Sequence, residues 1–229
     1  MDELPYDDGV PMESKKHRDQ MNLLIEPLER HFVDRPDVFV GGNMALYYST
    51  LQARNQDFKA PDVFVVLGAI PDRERKSWVV WEEDGRRPDV VIELLSDSTE
   101  REDRGRKMRV YAALGVSNYY LFDPHALVFE GYELDRDHTW QRLAPDASGA
   151  IPCPRLGLLL RLWRGVYYRR ESDWLRWYDG DRLLPTGSEA AEEQATRAAA
   201  EATRAAAEAT RAERLAARLR ALGLDPDAG

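Results

Sequence analysis

Two periods of hydrophobicity alternate along this chain. Met21, Leu24, Ile25 and Leu28 recur at helical spacing and predict a first helix over about Lys15 to Phe32. Pro27 falls inside it and predicts a kink or an early end. "DVFVGGNMALYYS" (37–49) then reads as a strand bent at Gly41-Gly42. "APDVFVVLG" (60–68) reads as a short buried strand, and "KSWVVWEEDG" (76–85) as a strand ending in a turn. "RPDVVIELLSDST" (87–99) carries an apolar run fit for a fully buried strand, with Glu93 in its middle. "TEREDRGRKMRVYAALG" (99–115) is helical; Thr99 with Glu102 fits a capping box and Gly115 a stop. "NYYLFDP" (118–124) is a strand, and hairpins follow to about Thr186 in "ALVFEGYEL", "TWQRLAP", "LGLLLRLWRGVYYR" and "WLRWYDGDRLLP". This order gives an α/β (α+β) class with a mixed sheet.

The C-terminus differs in kind. "ATRAAAE" (195–201) repeats at 202–208, and "ATRAERL" begins a third copy at 209. A seven-residue period in Ala, Glu, Arg and Leu predicts a long helix over 190–222, with a weak alanine seam through Ala195, Ala198, Ala202, Ala205, Ala209, Ala212, Ala216 and Leu219. It serves either as a solvated single helix or as a self-association helix. Residues 1–189 form the globular domain, and 223–229, after Gly223, read as a disordered tail.

Composition narrows the chemistry. At 229 residues and 43% hydrophobic, the chain can bury a sizeable core. The net charge is −9, and −8 of it lies before Ala190, so nucleic-acid contact needs a local basic patch or bound metal ions. The single cysteine, Cys153, excludes an internal disulfide and a thiolate cluster. No apolar run reaches the length of a membrane helix and the N-terminus has no signal core, so the expected location is cytoplasmic, with no membrane partner. No phosphate-binding loop, GxGxxG, HExxH or GxSxG occurs. His17, His31, His125 and His138 are scattered and read as surface or structural histidines. The aromatics Trp163, Tyr167, Tyr168, Trp174, Trp177 and Tyr178 read as sheet packing.

Carboxylates on strands remain. Asp89 and Glu93 lie four residues apart, about 13 Å along a strand, too far to share an ion. If 60–68 pairs antiparallel with 89–96, Asp62 comes close to Glu93 and Asp89 sits at the other end. Two carboxylates at one sheet end suit Mg²⁺ or Mn²⁺. Lys107 lies on or beside the core-facing stripe of its helix, with Asp103, Val110, Tyr111 and Leu114, and can reach back to Glu93. Each also has a structural reading: Glu93 as an arginine partner, Asp62 as a turn cap, Lys107 as the partner of Asp103, and Asp89 as a turn residue.

"PDVVIELLSDSTEREDRGRKMRVYAALGVSNYYLFDP" (88–124) resembles the signature of the bacterial Uma-type endonuclease family, within the PD-(D/E)XK nuclease superfamily. "APDVFVV", "KSWVVWEEDGRRPD", "LGLLLRLW", "WYDGDRLLPTGSE" and the Ala/Glu/Arg helix resemble it as well, over about residues 10 to 220. The resemblance implies a restriction-endonuclease-like core, α-β-β-β-α-β, here with added hairpins and the C-terminal helix. It implies a magnesium-dependent endonuclease acting on DNA, with Asp62 and Glu93 as the motif acids and metal ligands. The superfamily lysine stands two residues after the second acid, where this chain has Leu95; Lys107, on the following helix, takes that catalytic place. A main-chain carbonyl near Leu94 or Leu95 would be a further ligand. Arg101, Arg104, Arg106 and Arg109, with Arg73, Arg75, Arg86 and Arg87, would meet the DNA backbone. The rival reading is a non-catalytic nuclease-fold scaffold. Self-association through the sheet or the C-terminal helix is open to either.

Overall fold

The computed structural model describes residues 14–50, 52, 58–71 and 73–222; the tail at 223–229 lies outside them. The chain divides into two compact units, Met1–Leu184 and Pro185–Gly229.

The first unit opens with α1 (Lys15–His31), capped by Ser14, whose Oγ accepts from the backbone N–H of His17. Pro27 is buried inside α1 and does not end it. In the turn that Pro27 loosens, the carbonyl of Leu24 accepts the indole N–H of Trp177 at 3.0 Å. The strand expected at 37–49 breaks in two. β1 (Val38–Gly41) joins the main sheet, and β2 (Leu46–Tyr47) pairs in parallel with β4 (Trp78–Val79) in a small separate sheet. Gly42 sits at the break because a Cβ there would fall 2.9 Å from the carbonyl oxygen of Asp62. The strand read at 76–85 is shorter than its apolar pattern; after two residues it becomes a 3-10 turn, Val80–Glu82.

Between these lies β3 (Val63–Leu67), and after them β5 (Val90–Leu94). The next helix has three segments: α2 (Glu100–Glu102), a π-helical stretch (Asp103–Lys107) and α3 (Met108–Leu114). Gly115, at φ +75°, ends it as expected. The expected capping box does not form. Thr99 makes no side-chain cap; the Oγ of Ser96 accepts the Thr99 N–H, and Glu102 turns to Lys59. β6 (Asn118–Asp123), β7 (Val128–Leu134) and β8 (Trp140–Arg142) complete a six-stranded sheet in the order β1-β3-β5-β6-β7-β8. β5 and β6 are its parallel pair, as the helical crossover between them requires. Leaving out the small sheet, α1, β1, β3, β5, the 100–114 helix and β6 follow the order α-β-β-β-α-β.

A second sheet holds β9 (Ile151–Cys153), β10 (Leu158–Tyr167), β11 (Arg170–Asp179) and β12 (Arg182–Leu183). The main sheet is therefore buried on both faces. Val63, Val65, Val90, Ile92 and Tyr120 pack with α1 and with Leu160, Leu175 and Trp177 of the second sheet. Phe64, Val66, Val91, Leu95 and Tyr119 pack with Tyr111 and Met108 of α3 and with Trp78.

Gln20 ties α1 to this frame. Its amide nitrogen donates to the carbonyl of Leu175 and its amide oxygen accepts the Leu175 N–H, both at 2.9 Å. It thus supplies a ladder rung where β12 is too short to reach. Gln20→Leu leaves two buried backbone groups unpaired and is expected to cost about 2–4 kcal/mol. Urea denaturation checks this as a lower midpoint at unchanged m-value.

The second unit holds α4 (Gly187–Ala221), three residues longer at its start than its sequence period suggests. The reason is a capping box: the Oγ1 of Thr186 accepts the Glu189 N–H, and a Glu189 carboxylate oxygen accepts the Thr186 N–H at 2.7 Å. Thr196, Thr203 and Thr210 each donate to the carbonyl four residues back.

Candidate active site

β3 and β5 pair antiparallel with Val63 opposite Ile92, so Asp62 and Glu93 meet at one end of the sheet. Both lie on the face covered by the 100–114 helix. The contact is reciprocal. The Asp62 N–H donates to Glu93 Oε2 at 3.3 Å, and the Leu94 N–H donates to Asp62 Oδ2 at 2.8 Å. Asp89 is at the opposite end, where it accepts from the Leu67 N–H and from Arg155, both at 2.7 Å. It is a structural clamp.

Lys107 joins the acids. Its ammonium lies 3.1 Å from Glu93 Oε2 and 2.8 Å from Asp103 Oδ1. Lys107 thus pairs with Asp103 one turn away and also reaches Glu93. Glu93 is wholly buried and Asp103 is 1% exposed, while the side chains of Lys107 and Asp62 remain 15% and 21% accessible. Solvent therefore reaches the cluster past Lys107 and Asp62. Burial pushes the Glu93 carboxyl up to about 8; Lys107 opposes this, and Asp103 and Asp62 add to it. Burial also raises Asp103, against Lys107. Burial alone would lower the Lys107 ammonium, but the charges of Glu93, Asp103 and Asp62 hold it above the usual lysine range. One cation thus faces three carboxyls.

Three partners were not singled out from sequence. The hydroxyl of Tyr111 donates to Glu93 Oε1 at 2.9 Å, and burial holds its phenol well above the usual range. One turn after Lys107 on the same stripe, Tyr111 was open to the same periodicity argument. His17 is buried with Nε2 3.0 Å from Asp62 Oδ1, so of the two readings, surface or structural, it takes the structural one. Lys59, also buried, pairs with Glu102 at 3.0 Å. No spacing signals either contact, because each joins segments tens of residues apart.

The arginines divide. Arg101, Arg106 and Arg109 are exposed and line a shallow depression with Ser98, Glu102 and Gly105. Arg104 is bound by Glu100 and Glu130, each at 2.8 Å. The upstream set is committed locally: Arg73 to Glu82, Arg75 to Glu83, Arg86 to Asp84, and Arg87 to the carbonyl of Leu114.

Among the described residues no three His, Cys, Asp or Glu side chains form a metal-ligating group. Asp62 and Glu93 are the carboxylates that could hold a divalent ion, with main-chain and water oxygens completing its shell, as is common for Mg²⁺. Asp62 Oδ1, Asp62 Oδ2 and Glu93 Oε1 each keep a second lone pair beside the contact described, whereas Glu93 Oε2 faces both the Asp62 N–H and Lys107; the excess of carboxyls over ammonium favours a cation there.

A sequence profile described as "Uma2: Putative restriction endonuclease" matches residues 4–163. The "Uncharacterized protein slr1290" of Synechocystis sp. (strain ATCC 27184 / PCC 6803 / Kazusa) is 30% identical over 135 residues, covering 56% of this chain and 67% of that protein. A crystal structure titled as a "putative nuclease belonging to DUF820" from Anabaena variabilis ATCC 29413 is similar at a TM-score of 0.47 and 18% identity, over 63% of this chain and 75% of that one. Among the described residues no helix is long and apolar enough to cross a membrane.

Proposed function

The chain belongs to the family described as "Uma2: Putative restriction endonuclease", and from that premise we propose that it is a divalent-metal-dependent endonuclease hydrolysing DNA phosphodiester bonds. The observation that carries the reading is the meeting of Asp62, Glu93 and Lys107 at one partly open sheet end. Asp62 and Glu93 would hold Mg²⁺ or Mn²⁺, with a main-chain carbonyl near Leu94 or Leu95. Such an ion supplies a Lewis acid for the phosphate and lowers the pKa of an attacking water. Lys107 orients that water and stabilises the charge that develops on the phosphate. Tyr111 and His17 fix the rotamers of Glu93 and Asp62, acting as positioning residues. Arg101, Arg106 and Arg109 are the exposed cations of the helix that carries Lys107, suited to phosphate contact.

The test is plasmid cleavage by purified protein over Mg²⁺ and Mn²⁺, with Asp62→Asn alongside. Wild type is expected to nick or linearise the plasmid, chelator to stop it, and Asp62→Asn to lose about 10²-fold or more in rate. Equal inertness of both proteins in every metal overturns the reading. It would favour a second one, a nuclease-fold binding module, which the internal pairing of the Asp62 and Glu93 oxygens supports. In that reading assembly runs through the alanine seam of α4, and sedimentation of the full chain tests it.

A further inference from the structure

β10 and β11 end in a tight hairpin whose tip is unusual. Tyr167 pairs with Arg170, leaving Tyr168 and Arg169 as a two-residue turn. Their φ angles are +43° and +63°. Such a turn favours Asn-Gly, so a bulky tyrosine and an arginine in this region carry backbone strain. Tyr168 is 69% exposed, and Arg169 and Arg170 are exposed beside it.

The tip is joined to the candidate site by three consecutive residues of α1. The Lys15 ammonium lies 5.6 Å from the centroid of the Tyr168 ring, and the Lys16 ammonium 6.0 Å from that of Trp174. His17 follows, 3.0 Å from Asp62. The ring is thus reached from the first turn of the helix that also reaches Asp62. Acids are present here too: Asp19 pairs with Lys15, and Glu171 and Asp173 lie 3.4 and 3.3 Å from Arg164. Lys16 and Arg170 lie close enough to repel each other, and Arg169 is the exposed residue before Arg170 at the tip, so positive charge gathers here. Burial and Arg170 both lower the Lys16 ammonium, against Asp173 and Asp123. On a chain of net charge −9, such a cluster beside an exposed aromatic ring suits phosphates and bases. The tip also lies beyond the residues matched by the family profile.

The geometry points to the β10–β11 tip, with Lys16, as a wing that grips duplex DNA next to the cleavage centre: Arg169, Arg170 and Lys16 on phosphates, and the Tyr168 ring against the exposed sugar and base edges. This rests on the endonuclease reading for its substrate class, but it is measured without cleavage.

The probe is a fluorescent duplex of about 20 base pairs, titrated by anisotropy in chelator over a range of salt. The variants are Tyr168→Asn, Arg169→Gly and the two combined, which install the preferred turn and are expected to keep or raise the melting temperature. Arg169→Gly is expected to make the log Kd against log salt slope shallower by about one. Tyr168→Asn is expected to weaken binding about five- to tenfold at unchanged slope. The combined variant does both. A combined variant that binds as wild type does, with the same slope, overturns the wing; so does a wild type that binds no duplex at low salt. Wild type that binds through the tip yet cleaves nothing in any metal leaves the wing standing and removes the endonuclease reading.

Discussion

Lys107→Met is expected to cost about 3–5 kcal/mol of stability and at least about 10²-fold in cleavage rate. The stability loss follows from burial. Glu93 and Asp103 both direct an oxygen at the Lys107 ammonium within 3.1 Å, and neither can be rehydrated without opening the helix over the sheet. Without the ammonium both carboxyls hold protons to higher pH, and Glu93 keeps only the Tyr111 hydroxyl and the Asp62 N–H. The rate loss follows from position, because Lys107 is the accessible cation of the cluster. Denaturation and cleavage separate the two effects. Lys107→Met in a Glu93→Gln background is expected to recover part of the stability and none of the activity, since one buried charge leaves with the other. A Lys107→Met protein as stable as wild type would show that the pair is not a buried ion pair.

Glu93→Gln is expected to split function from stability. As a proposed ligand, Glu93 cannot be replaced by an amide without large loss, about 10²–10³-fold or more in rate. Stability moves differently with pH. Burial raises the folded-state carboxyl to about 8, well above the unfolded value near 4.5. A raised pKa contributes stability that is complete below the unfolded pKa and lost as pH rises through the folded one. Wild type is therefore expected to lose stability between about pH 4.5 and 8, by at most about 1.4 kcal/mol per pH unit from this group. Glu93→Gln lacks that slope and is expected to be the more stable protein at pH 8. Melting temperatures of the two proteins across this range check it; parallel curves would refute it. The native glutamate is thus a stability cost as pH rises toward 8.

Legibility from sequence followed the range of the contacts. The apolar runs at 63–67 and 90–94 and the alternation in β10 announce themselves locally, so sheet membership was readable. Antiparallel pairing of two such runs was enough to bring Asp62 to Glu93 and to send Asp89 away. The stripe through Asp103, Lys107 and Tyr111 was readable for the same reason. The short β4 was not, because Trp78 to Trp81 are apolar enough for a longer strand and only a tertiary turn stops them. Gln20, His17 and Lys59 were silent, since a side chain that completes another element's hydrogen bonds leaves no period behind it. The upstream arginines looked available until local glutamates and aspartates were found to bind Arg73, Arg75 and Arg86.

The π-helical stretch at Asp103–Lys107 has a consequence for what this segment tolerates. A π turn holds one residue more than the α turn it replaces. The wider turn absorbs that residue, so the segments on either side keep the phase they would have in a helix one residue shorter. Taking one residue out of the stretch is therefore expected to restore regular winding and leave Tyr111 over Glu93 and Met108 against the core, whereas the same deletion in α3 rotates everything beyond it by about 100°. A side chain at Gly105 meets nothing within 4 Å, so the identity of that residue is free as well. This helix thus carries its own slack, confined to the turn between Asp103 and Lys107, while the regular turns beside it tolerate no change of length.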